Sequence, residues 1–184
     1  MNLKGTWGLL HPLRASTGRR KEVNMLEKVI SGGQTGADQG GLRAAHDAQV
    51  ETGGTAPPGF FTEEGRNLAL RDIYGLIEGG PDPRTYPRRT VKNVQDSDGT
   101  VWFGNTDSPG ARLTLNTCGK LGKVFLTNPG PSVLARWIID NNIRVLNVAG
   151  NRASHNVLSD RMAYITLASA IGLLDGQGQV RFKR

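Results

Sequence analysis

One short segment of the chain combines glycines, hydroxyl and amide groups and a carboxylate directly after an apolar run. It reads Ser31-Gly32-Gly33-Gln34-Thr35-Gly36-Ala37-Asp38 and precedes an alanine-rich stretch typical of a helix. Glycines let the backbone approach a phosphate closely, and the free N–H groups at a helix start point toward it. The segment therefore predicts an anionic, phosphate-bearing ligand. Its predicted contact residues are Gly32, Gly33, Gln34, Thr35, Gly36 and Asp38.

Three further segments carry residues suited to an anion, at positions 96–100, 106–112 and 149–154. The last two offer glycine-containing backbone, a serine and one arginine each. The planar guanidinium of arginine donates several hydrogen bonds in a fork that suits phosphate. The predicted ligand-binding residues of these segments are Asp98, Thr100, Ser108, Pro109, Gly110, Arg112, Gly150, Asn151, Arg152 and Ser154.

Several acidic positions allow more than one interpretation. Asp38 either contacts a ribose or base, or is only an acid stabilised by the positive end of a helix. Asp96 and Asp98 could form an acid–base or metal pair. The favoured alternative is that Asp98 begins a turn before a strand. The pair Glu63-Glu64 is either a lid over the site or, the favoured alternative, solvated surface.

The sequence lacks the common fingerprints of nucleotide and metal sites. No Gly-x-Gly-x-x-Gly follows the first predicted strand, and no Gly-Lys-Ser/Thr occurs anywhere. No Cys/His spacing indicates zinc, so no metal site is predicted. The single cysteine, Cys118, excludes an internal disulfide and is typical of a cytoplasmic protein.

The positive charge is concentrated at one end of the chain. The net charge is +7, but residues 1–24 carry five basic side chains against one acidic side chain. The remainder is nearly balanced, which disfavours a nucleic-acid partner. Residues 1–24 are predicted to form a disordered basic tail. The alternative is a translated leader, because residues 21–25 can be encoded by a ribosome-binding sequence and a start codon.

Short apolar runs and helical stretches alternate through residues 25–184. Predicted strands cover 28–31, 50–56, 100–103, 123–126 and 145–149, and predicted helices cover 37–49, 89–95, 109–121, 132–141 and 155–174. Residues 57–87 are predicted to form an irregular excursion with a helical turn at 63–70, and the last ten residues a frayed end or edge strand. No apolar run approaches the ~20 residues of a transmembrane helix, so no membrane partner is predicted.

This alternation predicts a single α/β domain. Its architecture is a Rossmann-like three-layer sandwich with a mostly parallel central sheet. Ligands of such sheets bind at the carboxyl ends of the strands. Because strand ends converge there, we expect the four segments to meet around one pocket.

The same motifs resemble those of the "putative molybdenum carrier" family. The resemblance spans about residues 27–172 and is carried by 30–38, 74–76, 89–90, 93–94, 96–100 and 146–154. That family belongs to the SLOG superfamily, is similar to lysine-decarboxylase-like phosphoribohydrolases and resembles a circular permutation of them. The resemblance implies a pocket for a nucleotide or nucleotide derivative, and a homo-oligomer.

Two departures from the related enzymes affect the predicted activity. The phosphoribohydrolases carry Pro-Gly-Gly-x-Gly-Thr-x-x-Glu with a catalytic glutamate, whereas residues 108–114 here contain no glutamate. Asn151 stands where a proline is expected before Arg152, which predicts a slightly looser loop.

Three functions follow as alternatives. The first is a carrier, sensor or sponge that binds a nucleotide-derived, phosphorylated small molecule without chemistry. The second is a hydrolase of an N-glycosidic or phosphate bond in a nucleotide. The third is a carrier of molybdate or molybdenum cofactor, as the name of the resembled family suggests. The sequence predicts no particular cofactor, although a nucleotide is favoured over molybdenum cofactor.

Overall fold

The computed structural model describes residues 26–80 and 85–176. Its strands are β1 (Lys28–Ser31), β2 (Glu51–Gly53), β3 (Thr55–Ala56), β4 (Phe61–Thr62), β5 (Gly65–Arg66), β6 (Ile77–Glu78), β7 (Gly99–Phe103), β8 (Val124–Thr127) and β9 (Val145–Gly150). Its α-helices are α1 (Ala37–Asp47), α2 (Ala69–Asp72), α3 (Thr85–Gln95), α4 (Pro109–Lys120), α5 (Pro131–Asp140) and α6 (Ser159–Leu174). The predicted tail at 1–24 lies outside the described residues, as does nearly all of the predicted C-terminal edge strand.

Five strands form a parallel sheet in the order β2-β1-β9-β7-β8. The helices fall into two groups, because α1, α5 and α6 pack together while α3 packs against α4. The predicted α/β fold with a parallel, Rossmann-like sheet is therefore confirmed. The carboxyl ends of the two central strands β9 and β7 lie side by side, since Phe103 pairs with Gly150.

The two faces of the central strands differ in polarity. Residues of a strand alternate between faces. In β9, Leu146 and Val148 are fully buried in the main core with α1, α5 and α6. The alternate residue Asn147 is also buried, and its Nδ2 donates to Thr100 Oγ1 of β7 over 3.2 Å. The second face therefore carries buried polar groups, which positions them for a site.

The excursion between β2 and α3 is more ordered than the sequence predicted. The predicted strand at 50–56 is two strands, because β3 leaves the main sheet and pairs with β6. The predicted helical turn at 63–70 lies further along the chain, at Ala69–Asp72, because β4 and β5 form an antiparallel hairpin over the first part of that range. The short helix α2 follows that hairpin, and Leu70 within it is fully buried.

The predicted helix at 155–174 begins later than expected. Residues 151–158 form a loop of turns in which the N–H groups of His155 and Asn156 both donate to the carbonyl of Arg152. Helix α6 starts at Ser159, whose buried hydroxyl hydrogen-bonds the carbonyl oxygen of Asn151 over 2.9 Å. This contact fixes the loop after β9 against the start of α6.

Close packing explains a glycine pair inside α1. A Cβ on Gly40 would overlap the backbone carbonyl of Asp160 in α6, and one on Gly41 would overlap Val148. Glycine costs about 1 kcal/mol relative to alanine in a helix, so the close approach of backbones outweighs that cost. Helix α1, which begins at the glycine loop, is thereby held against the sheet and α6.

A Gly40→Ala variant is expected to unfold more easily by about 1–2 kcal/mol, because overpacking exceeds the gain in helix propensity. Gly119→Ala is the matched control, since Gly119 also lies in a helix and no atom of a neighbouring element lies within 4 Å of the position that a Cβ would take. The control is expected to gain up to about 1 kcal/mol. Urea unfolding of both variants measures the difference, and equal stability of the two would contradict this packing argument.

Candidate functional site: a pocket at the carboxyl ends of the strands

A pocket of about 730 Å³ opens where β1, β7 and β9 end. Its wall combines backbone and side chains from three loops, the central strands and helix α3. Residues of the first loop are Gly32, Gln34 and Asp38; α3 and its start contribute Pro87, Arg89, Thr90 and Asn93. From β7 to α4 the lining residues are Trp102, Asn105, Asp107, Ser108, Pro109, Gly110, Leu113 and Thr114. From β9 onward they are Asn147, Ala149, Gly150, Asn151, Arg152 and His155.

Two buried charged side chains, Arg89 and Asp38, lie beside Gly32. Arg89 Nη1 donates to the Gly32 carbonyl over 2.7 Å, and Asp38 Oδ2 accepts from the Gln34 N–H over 3.1 Å. A Cβ on Gly32 would lie 2.9 Å from both Arg89 Cζ and Asp38 Oδ2. Glycine at this position therefore lets an arginine from α3 and a carboxylate from α1 approach the same stretch of backbone.

The pKa of the Asp38 carboxyl group is higher than usual. Burial raises its pKa from 3.8 to about 6, although the charges of Arg89 and Arg152 and the Gln34 N–H oppose that rise. Only 7% of Asp38 is exposed. A carboxyl group that titrates near neutral pH can both accept and give up a proton under physiological conditions.

The loop after β9 is fixed by the Asn151 backbone and side chain. The Asn151 N–H donates to the Phe103 carbonyl over 2.9 Å, and its carbonyl accepts from the Ala37 N–H over 3.2 Å. Its Oδ1 accepts from the Asn105 N–H. The loop is therefore tied to both neighbouring loops, contrary to the prediction that Asn151 loosens it. Arg152 follows directly and lines the pocket.

The third loop forms the helix start that the sequence predicted. Ser108 caps α4: its Oγ accepts from the Ala111 N–H over 3.2 Å and donates to the Asn105 carbonyl over 3.0 Å. Ser108, Pro109 and Gly110 line the pocket. Arg112 does not, because its exposed side chain turns back and its Nε donates to the Asp107 carbonyl over 3.1 Å.

Asp98 and Thr100 lie away from the pocket opening. Asp98 precedes β7, at the opposite end of the sheet, and its carboxylate accepts from the N–H groups of Arg144 and Val145 over 2.9 and 2.8 Å. A segment that leads into a strand lies at the amino end of the sheet, so it does not meet the other three segments. Thr100 is buried and supports Asn147 from beneath.

Four other predicted residues lie beside the pocket rather than in its wall. Gly33 packs against Leu70 and Leu76. Thr35, Gly36 and Ser154 lie where the first loop meets the loop after β9. There the Ala153 N–H donates to Thr35 Oγ1 over 3.4 Å. Thr35 and Ser154 also contact Glu63 of the β4–β5 hairpin.

The sequence prediction missed the contributions of α3 and the strand interiors. Arg89, Thr90 and Asn93 line the pocket from α3, and Asn93 also bonds the backbone of Thr55 through both amide atoms, over 2.8 and 3.3 Å. Asn147 and Trp102 form the floor. The sequence did contain a signal for Asn147, because it is the polar residue inside the apolar run 145–149. A buried amide without hydrogen-bond partners costs free energy, so its presence there indicates a polar partner or ligand.

The described residues offer no metal-binding cluster: no group of three or more His, Cys, Asp or Glu in 26–80 and 85–176 could hold a metal ion. In the same part of the chain, no helix has both the length and the apolar character needed to cross a membrane.

A parallel sheet with glycine-containing loops around a pocket at its carboxyl edge defines a Rossmann-like, ligand-binding α/β protein. The sequence model of the circularly permutated YpsA SLOG family matches residues 29–171. The chain belongs to that family. The recognition of a SLOG family from the loop motifs is thereby confirmed.

A solved structure supports the same assignment. A protein from Syntrophus aciditrophicus SB, described as a "putative molybdenum carrier protein", is 32% identical and aligns over 79% of this chain and 94% of its own, with a TM-score of 0.68. None of the curated proteins compared with this chain matches it. Family and pocket together indicate a protein that binds a small ligand.

Proposed function

We propose that this chain binds a nucleotide or a nucleotide-derived, phosphorylated small molecule in the pocket, as a carrier, sensor or sponge. The observation that carries the proposal is the convergence of Arg89 and Arg152, from different elements, on a pocket of about 730 Å³ at the strand ends. Pockets of about 300–1,000 Å³ suit small molecules. Arginine at the carboxyl edge of a parallel sheet suits a phosphate group.

The polarity of the pocket gives each part of such a ligand a place. The guanidinium of Arg152, which lines the pocket, suits the phosphate. The floor is built from Trp102 and Asn147, whose flat apolar surface and amide suit a heterocyclic base. Asp38 lines the same pocket, and its carboxylate can accept a hydrogen bond from a ribose hydroxyl or a ring N–H of the ligand.

The first experiment identifies what the purified protein carries. The protein is denatured, the released small molecules are analysed by mass spectrometry, and the same sample is analysed for molybdenum. A nucleotide or nucleotide derivative in stoichiometric amount is the expected result. If the protein is recovered without ligand, calorimetric titration with nucleoside mono- and diphosphates follows, and absence of binding to the whole panel contradicts the proposal.

One observation favours hydrolysis as a second function. Asp38 is buried in the pocket wall with a pKa of about 6, which suits a general acid or base near neutral pH. In an N-glycosidic hydrolysis it would protonate the departing base or activate the attacking water. Release of free base or phosphate from a nucleoside monophosphate, lost in Asp38→Asn, would establish this function over simple binding.

The name of the Syntrophus protein favours a third function, transport of molybdate or molybdenum cofactor. Molybdate is a tetrahedral oxyanion, and the phosphate on a pterin cofactor is another anion; arginine and backbone N–H groups bind both by the same hydrogen bonds. Molybdenum in the denatured sample, with or without a pterin, would favour this function over nucleotide binding.

We also propose that the chain forms a homo-oligomer in the cytoplasm. The two residues before α6 expose apolar side chains, with Val157 81% and Leu158 57% exposed. Exposed apolar groups in a row favour contact with another protein surface. Light scattering coupled to size-exclusion chromatography measures the mass in solution; a value of one chain at micromolar concentration would contradict the oligomer.

A further inference from the structure

The β4–β5 hairpin places a carboxylate on two of the predicted anion-binding loops. Glu63 Oε1 accepts from the Ser154 N–H over 3.0 Å and from the Thr35 hydroxyl, and Oε2 accepts from the Ser154 hydroxyl. Thr35 belongs to the loop after β1 and Ser154 to the loop after β9. We name these three donors, on Thr35 and Ser154, the anion seat.

The anion seat holds a negative charge. Burial of the Glu63 carboxyl opposes its ionisation, but the bonds from Ser154 and Thr35 and the charge of Arg152 outweigh this and hold its pKa below the ordinary value. A carboxylate with three hydrogen-bond donors resembles one edge of a bound phosphate in its oxygens, charge and partners. Glu63 therefore stands where an external oxyanion would find the same partners.

The anion seat adjoins the pocket and shares its charges. Residues adjacent to the anion seat line the pocket. They are Gln34, which precedes Thr35, and Arg152 and His155, which lie before and after Ser154. The charge of Arg152 acts on both Asp38 in the pocket wall and Glu63 in the anion seat. A ligand phosphate near Arg152 is consequently within the electrostatic reach of the anion seat.

The hairpin that carries Glu63 is anchored at its base, where Phe60 is buried, and is exposed toward its tip at Glu63 and Glu64. Each of its strands has two residues, and Phe61 is 53% exposed. Its further link to the first loop is the bond from Gln34 Nε2 to the Phe61 carbonyl over 3.1 Å. Gln34 Oε1 is buried and has no hydrogen-bond partner in the described part of the chain, so Gln34 keeps an acceptor for a ligand.

We propose that the anion seat is a second oxyanion subsite of the pocket, that Glu63 occupies it in this structure, and that a phosphate group of the ligand displaces Glu63 and releases the hairpin. This inference rests on the proposed function, because the phosphate is supplied by the ligand of the pocket. Glu63 thus competes with the ligand, and the apparent affinity is the intrinsic affinity multiplied by the fraction of molecules in which Glu63 has left the seat.

The test measures binding of inorganic phosphate and of inorganic pyrophosphate to the full chain by calorimetry. Glu63→Ala is expected to raise the affinity for pyrophosphate roughly tenfold, because it frees the anion seat. Glu64→Ala, which removes an exposed carboxylate one residue away, is the matched control and is expected to leave the affinity unchanged. Ser154→Ala combined with Glu63→Ala is expected to reduce the gain, because it removes one of the three donors of the anion seat.

A second measurement reports release of the hairpin itself. Amide hydrogen exchange of residues 59–67 is expected to accelerate when pyrophosphate saturates the wild-type chain, and to be fast in Glu63→Ala with or without it. If wild type and Glu63→Ala bind pyrophosphate with equal affinity, and Arg152→Ala weakens that binding, the second subsite is overturned. The proposed function then still stands. No binding of either anion to any variant would contradict both.

Discussion

Relative to an Asp38→Asn variant, the wild-type chain is expected to lose about 3 kcal/mol of stability between about pH 4 and pH 7, because only the wild type must ionise a buried carboxyl at position 38. The folded-state pKa of Asp38 is about 6 against an ordinary value of 3.8. Between these values the folded chain binds more protons than the unfolded chain, so stability falls as the pH rises. Asparagine cannot ionise, so the variant lacks this loss and is the more stable protein at neutral pH.

Urea unfolding at several pH values measures this difference. Asp107→Asn is the matched control, because Asp107 also lines the pocket but is exposed. The control is expected to follow the wild-type profile. An Asp38→Asn profile that parallels the wild type would show that burial does not penalise this carboxylate, and would remove the argument for Asp38 as a general acid or base.

An Arg152→Ala variant is expected to bind phosphate-bearing ligands about 10- to 150-fold more weakly, which corresponds to about 1.5–3 kcal/mol for a charge-assisted hydrogen bond. The pocket loses one of the two arginines that the described residues contribute to its lining, whereas the loop keeps the Asn151 bonds that tie it to its neighbours. The melting temperature is therefore expected to change little. Calorimetric titration with inorganic phosphate and nucleoside monophosphates gives the affinities.

Arg112→Ala is the control for the Arg152 variant, because it also removes one positive charge from the chain. Arg112 was also predicted to bind the ligand, but its exposed side chain donates to the Asp107 carbonyl outside the pocket wall. Its removal is expected to change the affinity less than twofold. If the two variants weaken binding equally, overall charge rather than the pocket geometry determines affinity. Unfolding of the Arg152 variant would assign Arg152 a structural role.

The elements next to the site followed from local sequence. Strand β1 covers Lys28–Ser31 as predicted, and α4 begins at Pro109 after the Ser108 cap. These features depend on interactions between near neighbours: an apolar run, a serine hydroxyl bonded three residues ahead, and a proline that needs no N–H partner. Residues of the loops after β1, β7 and β9 then share a pocket because parallel strands carry their carboxyl ends to one edge.

The composition of the pocket wall depended on tertiary contacts. Arg89 reaches Gly32 across 57 positions of sequence, and Glu63 reaches Ser154 across 91. Asp98, which resembles a site residue in type, lies at the far end of the sheet because its segment enters a strand instead of leaving one. Neither residue type nor spacing encodes which residues so far apart in sequence come into contact, whereas the place of Asp98 could have been read from the predicted strand at 100–103 that follows it.

The sequence by itself determined the family, the parallel sheet and the three loops that turn at its carboxyl edge, since glycine turns, helix caps and strand periodicity are properties of adjacent residues. Only the tertiary structure decided that α3 supplies an arginine, that Asp38 is buried enough to titrate near pH 6, and that a hairpin carboxylate occupies the anion seat. Burial and charge depend on every neighbour in space, and the fold alone brings those neighbours together.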